Sequence, residues 1–436
     1  MDRHVRSVSG SNTHRTSSDR RSFLKTSTAA LAGSVLLARG VHAGGDERLR
    51  IGLVGCGGRG SGAAADALRA DPHTVLTAMG DTFSDRLESS LNNLQKQFPA
   101  DRLDVPPDRR FVGFDAYRHV IDSGVDVVLL CTPPHFRPQH LEYAVAAGKH
   151  VFAEKPVAVD APGIARVLAA TSLAKSKGLC LVSGLCYRYD LPKREIMARI
   201  HDGAVGEIVA IHTTYNTGTL WLHPRQPQWS EMEYQVRNWL YYTWLSGDHN
   251  VEQHVHSLDK AAWALRDASP VSATGLGGRQ VRVQPEYGNI YDHHAVVYQF
   301  DHGVKVFSFC RQQAGCSIDV SDYVMGTLGT ADLMRHEIVD RSGKRIWKYE
   351  GPTPNMYQQE HDELFAAIRS GNPINNGWYM ANSSMIAIMG RMATYTGQTI
   401  SWEEAVDSKE DLTPAAYEWG PAPTPTVAMP GITQFA

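Results

Sequence analysis

Leu49-Arg50-Ile51-Gly52-Leu53-Val54 runs without a break into Gly55-Cys56-Gly57-Gly58-Arg59-Gly60, and an Ala-rich stretch of helical composition follows. A glycine pattern alone says little. Strand before it and helix after it point to a βαβ unit that takes a phosphate at the helix N-terminus. Gly55 permits the tight turn, Gly57 lets the backbone approach a pyrophosphate, and Gly60 lets helix pack on strand. Gly58 and Arg59 complete the loop.

A second strand, 75–79, ends in Gly80-Asp81, about 20 residues past the last glycine. A carboxylate there accepts hydrogen bonds from ribose hydroxyls and repels a 2′-phosphate. NAD is therefore expected over NADP, with Arg86 close enough to matter. Val125-Asp126-Val127-Val128-Leu129-Leu130 is a nearly continuous apolar run, as a strand buried on both faces should be. It stops at Cys131-Thr132-Pro133-Pro134-His135. A helix over 139–147, a strand over 149–153 closed by Glu154-Lys155-Pro156, a helix over 162–177 and a strand over 179–183 continue the alternation. Such βαβ alternation predicts a doubly wound parallel sheet with its ligand at the carboxyl ends of the strands.

The first 43 residues read differently. Asp19-Arg20-Arg21-Ser22-Phe23-Leu24-Lys25 precedes a mild apolar stretch from Ala29 to Ala38, and Val41-His42-Ala43 has the small-residue spacing of a cleavage site. The segment resembles a twin-arginine (Tat) export signal, which implies passage through the Tat translocase to the periplasm. Without it the chain keeps 36 basic against 44 acidic residues, a net charge of −8 that disfavours nucleic acid as a partner. The 6 cysteines show no C-x-x-C spacing and read as small buried hydrophobes. In the second half, 208–215, 294–300, 304–311 and 345–349 are strand-like, with Asp301-His302-Gly303 as a hairpin turn and a helical block over 236–266.

These features resemble the Gfo/Idh/MocA family of NAD(P)-dependent oxidoreductases. The resemblance rests on Gly55–Gly60, Thr132-Pro133-Pro134, His140, the Gly148-Lys149-His150-Val151-Phe152-Ala153-Glu154-Lys155-Pro156 block and the second half, from residue 48 to about 405. It implies an N-terminal Rossmann domain, 48–186, and a C-terminal α/β domain, 187–410, with an open, mostly antiparallel sheet. A Pro-rich tail, 411–436, is expected to extend and wrap a neighbouring subunit of a homo-oligomer. Gly55, Gly57, Gly58, Arg59, Gly60, Asp81, Thr132, Pro133, His135, Glu154 and Lys155 are the expected cofactor contacts. The lysine of Glu-Lys-Pro is implied to bind and polarise a substrate hydroxyl of a sugar, inositol or related polyol.

The densest polar constellation is Gly247-Asp248-His249-Asn250-Val251-Glu252-Gln253-His254-Val255-His256-Ser257-Leu258-Asp259. The family has Asp-x-Gly-x-His-x-x-Asp here, so Glu252 stands for its Asp and His254 for its Gly. On one continuous helix His249, Glu252 and His256 share a face. Alcohol oxidation needs a base within reach of the hydroxyl proton. His256 is thus expected as acid/base, Glu252 as its orienter and Lys155 as polariser. His249, His254 and Arg188 are expected to contact substrate. A metal held by His249, Glu252 and His256, with Asp292, His293 or His294, is the weaker reading, and no metal is expected. Trp239, Tyr241, Tyr242 and Trp244 stack on a sugar or fill core, and His361-Asp362-Glu363 opens a helix on a solvated face. The leading expectation is hydride transfer between a sugar or polyol carbon and NAD. The alternative is redox-neutral glycoside cleavage through a transient keto-sugar, and a sugar-sensing protein without turnover ranks third.

Overall fold

The computed structural model describes residues 48–436 except Pro425; the expected export signal over 1–43 lies outside the described residues. The first sheet is parallel and six-stranded, in the order β3-β2-β1-β4-β5-β6. Its strands are β1 (Leu49–Val54), β2 (Thr74–Asp81), β3 (Arg110–Val112), β4 (Val127–Leu130), β5 (His150–Ala153) and β6 (Leu181–Ser183). β4 is buried at every position, which is why its sequence shows no alternation. Helices cover both faces. The reversal of strand order lies between β1 and β4, and it opens a crevice at their carboxyl ends.

The second sheet is nine-stranded and mostly antiparallel, in the order β14-β13-β12-β11-β7-β10-β9-β8-β15. The central strands are β7 (Ile208–Thr217), β8 (Ser272–Gly278), β9 (His293–Gln299), β10 (Lys305–Gln312) and β11 (Asp319–Gly326). β12 (Gly329–Asp332), β13 (Glu337–Asp340) and β14 (Arg345–Lys348) form one edge, and β15 (Ile400–Ser401) the other. Asp301-His302-Gly303 turns β9 into β10, with His302 in the left-handed region at φ 58°. The helix Gly377–Thr396 ties the sheets together. It packs on the helix Ala161–Ser176 on one side and on β8 and β9 on the other. One apolar core therefore runs through both domains.

Two expectations change here. His361 lies within the helix Met356–Ser370 and is fully buried against Phe152, 4.4 Å between ring centroids, because this helix packs back on the helix Gly58–Ala70. The tail, expected to reach a neighbouring subunit, lies along its own chain. Tyr417 donates to or accepts from His135 Nε2 at 2.8 Å, Trp419 stacks on Phe83, and the Leu412 N–H is held by Asp160. None of the described helices is long and apolar enough to cross a membrane. All 6 cysteines are unpaired.

Candidate active site

The crevice of the first sheet opens into a cavity of about 580 Å³ floored by the glycine loop and walled by the second domain. The helix Gly58–Ala70 starts at the loop, so its first N–H groups face the cavity. Gly55 sits at φ 93°, and a Cβ there would lie 2.6 Å from the Cys131 carbonyl carbon. A Cβ on Gly60 would lie 1.9 Å from the Gly55 oxygen, whereas Gly57 and Gly58 face open space. Tight turn on one side and free backbone on the other make a cradle that fits a pyrophosphate. Asp81 ends β2 and accepts from the Cys56 and Phe83 N–H groups at 2.6 and 2.9 Å. Burial pushes its carboxyl up while those two bonds pull it down. It lines the cavity with Thr132 and Pro133.

Glu154, 4% exposed, bonds to Arg59 and to the Lys155 N–H. Burial opposes its ionisation, but Arg59 and Arg137 hold it below the usual carboxylate range. Arg59 also pairs with Glu360 at 2.5 Å, so its guanidinium is spread between two buried acids at the cavity wall. Lys155 Nζ donates to Glu252 Oε1 at 2.9 Å and to the Glu252 carbonyl at 2.6 Å. His256 lines the same cavity at 9% exposure, with Nδ1 buried and unpartnered and Tyr187 edge-on at 5.3 Å. Burial, then Lys155 and Lys260, drive its pKa well below the ordinary value, so it is neutral near pH 7.

The continuous helix expected over 249–256 does not form. The His254 N–H bonds to the His249 carbonyl, five residues back, and the chain splits into a single turn, His249–Glu252, and a helix, Val255–Ala264. The extra residue rotates the second helix relative to the first turn, a π-type interruption of the kind found at functional sites. Glu252 consequently holds Lys155 rather than His256. His249 turns into a buried cluster with Asp248 and His294. His254 is also buried, its Nε2 on Ser308 at 2.7 Å, and does not line the cavity. Arg188 is held by Asp259 and Asp267 at 2.8 and 2.6 Å beneath the site. The short helical turn Pro134–Phe136 carries His135 away to Tyr417.

Several cavity residues carry no sequence signal. Arg137 is buried and bonds to the carbonyls of Thr132 and Pro156, both at 2.5 Å, clamping the loops after β4 and β5 together. Trp221, His223 and Arg237 arrive from the second domain to face Asp81, Phe83 and Arg86. Of the aromatic run, only Trp239 reaches the cavity; Tyr241, Tyr242 and Trp244 are core.

Residues 49–185 match the Gfo/Idh/MocA family, described as an oxidoreductase family with an NAD-binding Rossmann fold. The chain is also similar to further proteins over part of its length. Myo-inositol 2-dehydrogenase of Thermotoga maritima is 23% identical over 74% of this chain and 90% of its own. A dTDP-3,4-didehydro-2,6-dideoxy-α-D-glucose 3-reductase of Actinomadura kijaniata is 27% identical over 43% of this chain and 49% of its own, so the match spans about half of that relative. Levoglucosan dehydrogenase, solved with NADH and levoglucosan, shares the fold at a TM-score of 0.63 and 18% identity, covering 81% of this chain and 99% of that one.

Proposed function

We propose that the protein is an NAD-dependent oxidoreductase moving a hydride between a hydroxyl-bearing carbon of a sugar or polyol and the cofactor. The observation that carries this reading is the meeting of the glycine loop with Lys155, Glu252 and His256 in one cavity. The relatives support the substrate class: one is named for inositol, one for a deoxysugar, and the solved neighbour holds NADH and levoglucosan.

The cofactor, when bound, supplies the hydride acceptor and donor. Lys155 has a further N–H beyond those given to Glu252, and donates it to the reacting hydroxyl, stabilising negative charge as it develops on that oxygen. Glu252 fixes the ammonium in place. Neutral His256 takes the hydroxyl proton on Nε2 during oxidation and returns it during reduction. Asp81 supports NAD over NADP, its carboxylate meeting the ribose hydroxyls and repelling a 2′-phosphate.

Cofactor retention through turnover belongs to this reading. Arg237 pairs with Asp85 at 3.2 Å and lies over Phe83 at 3.9 Å, and Arg86 contacts His223 at 3.1 Å. These contacts draw the second domain over the adenosine end. They suit export through the Tat route suggested by Arg20-Arg21, since free NAD is scarce outside the cytoplasm. A homo-oligomer is part of the proposal as well. Leu276, Ala295 and Phe309 stand in register on the second sheet, with Leu276 79% exposed, as an apolar strip for a second copy.

The test is purified protein with bound NAD, incubated with a panel of sugars, polyols and aryl glycosides. A change at the nicotinamide absorbance band with a sugar or polyol supports the proposal. Release of aglycone without that change instead supports the redox-neutral glycosidase.

A further inference from the structure

Behind the catalytic turn lies a group of side chains that the hydride chemistry does not use. Asp248, His249 and His294 are buried to 2% exposure or less, and one ligand atom of each lies within 4.8 Å of the others. Asp248 Oδ1 is 3.2 Å from His294 Nε2 and 3.9 Å from His249 Nε2. Ligands on a tetrahedral zinc with bonds of 2.0–2.1 Å stand about 3.3 Å apart; the Asp248–His294 pair already has that spacing, and the His249 ring must draw in to close on an ion.

The hydrogen bonds leave this space unsatisfied. Both ring nitrogens of His249 are buried without a partner. His294 Nδ1 meets Thr394 Oγ1 at 2.9 Å, and that hydroxyl spends its proton on the Arg391 carbonyl. His294 therefore donates from Nδ1, and in the neutral ring Nε2 is a bare lone pair. That lone pair faces a carboxylate oxygen at 3.2 Å, outside hydrogen-bonding geometry. Two electron-rich atoms at that distance repel unless a proton or a metal ion sits between them.

The surroundings resemble the outer shell of a metal site. Asp248 Oδ2 accepts from the Tyr395 hydroxyl at 2.6 Å and the Tyr291 N–H at 2.8 Å, while Oδ1 accepts from the His249 N–H at 2.5 Å and turns its remaining lone pair to the cluster. Asp248 itself is held at φ 78°, a conformation unfavourable for a non-glycine residue that neighbouring contacts must enforce. The nearby Arg282 directs its terminal nitrogens to the Tyr291 carbonyl and to Gln312.

We propose that Asp248, His249 and His294 bind a zinc-class divalent cation that anchors the turn carrying Glu252 to β9. Two imidazoles and one carboxylate are borderline donors suited to zinc. This site is separate from the cofactor cavity, and its role is structural.

The test is elemental analysis of the full chain, purified without chelator and then dialysed against zinc chloride. About one zinc per chain is expected. His249→Ala and His294→Ala should each lose it, and His256→Ala should keep it. Thr394→Val leaves every ligand in place and should weaken zinc binding about tenfold or more by freeing the His294 ring. Should the alanine variants fail to fold, anomalous diffraction from wild-type crystals at the zinc edge decides, with a peak expected between the three side chains. Wild-type protein free of zinc after dialysis, full occupancy in both alanine variants, or an anomalous peak elsewhere would overturn the proposal. A protonated His294 paired with Asp248 would then satisfy the cluster instead.

Discussion

Lys155 Nζ, from the loop after β5, meets both the side-chain and the main-chain oxygen of Glu252, at 2.9 and 2.6 Å. The lysine is thereby fixed by a residue of the other domain, and the position of its ammonium depends on the two domains being docked.

Replacing Lys155 by Met should lower kcat by about 10²–10⁴ while the Kd for NAD stays close to wild type. His256→Ala should lower kcat to a similar degree. Steady-state kinetics with a sugar found in the panel, beside a fluorescence titration of NAD, checks both. Normal turnover in the His256 variant would remove that ring from the chemistry.

Gly60→Ala places a methyl group 1.9 Å from the Gly55 oxygen, so the loop must move. NAD affinity should fall at least about a hundredfold, because the backbone no longer fits the pyrophosphate. Gly62→Ala is the control: its nearest neighbour is the Arg59 Nη1 at 4.0 Å, and calorimetry should show unchanged binding.

Asp81→Asn removes the charge but keeps an oxygen for the backbone. The ratio of NADP to NAD affinity should rise about tenfold or more, worth about 1.4 kcal/mol. Competitive titration of the two nucleotides reads the ratio directly.

Acid should unfold the protein. Burial lowers His135 to about 4, and His140 and His361 each to about 3. Below the unfolded value of about 6.5 the unfolded chain binds protons that the folded one refuses. Stability is thus full above that pH and falls as pH drops, by about 1.4 kcal/mol per histidine per unit. By pH 4.5 the three together remove about 8 kcal/mol, comparable to the whole stability of a typical protein. Circular dichroism should show cooperative unfolding between about pH 4 and 5, and His140→Gln should move the midpoint down.

The first domain was legible because its signals are local. A left-handed turn at Gly55, a close approach at Gly60 and an unbroken apolar run at Val127–Leu130 each depend on a few adjacent residues. The same holds for the strands of the second sheet, whose alternation shows in β9 and β10.

The site was legible in its membership and not in its pairing. Lys155, Glu252 and His256 do share one cavity. Periodicity assigns His249 to their face only if the helix runs on unbroken through Gln253. The main-chain bond from His254 back to His249 breaks that register, and Ser308 on β10 receives the displaced His254 ring. Arg188, Arg137 and Trp221 show the same limit, since an arginine reads alike whether it meets substrate or a buried Asp259. Residue types and short-range backbone rules belong to the chain itself. Which charge finds which partner was decided only when the two sheets closed on one core, because burial makes an unpaired group costly and packing selects the partner.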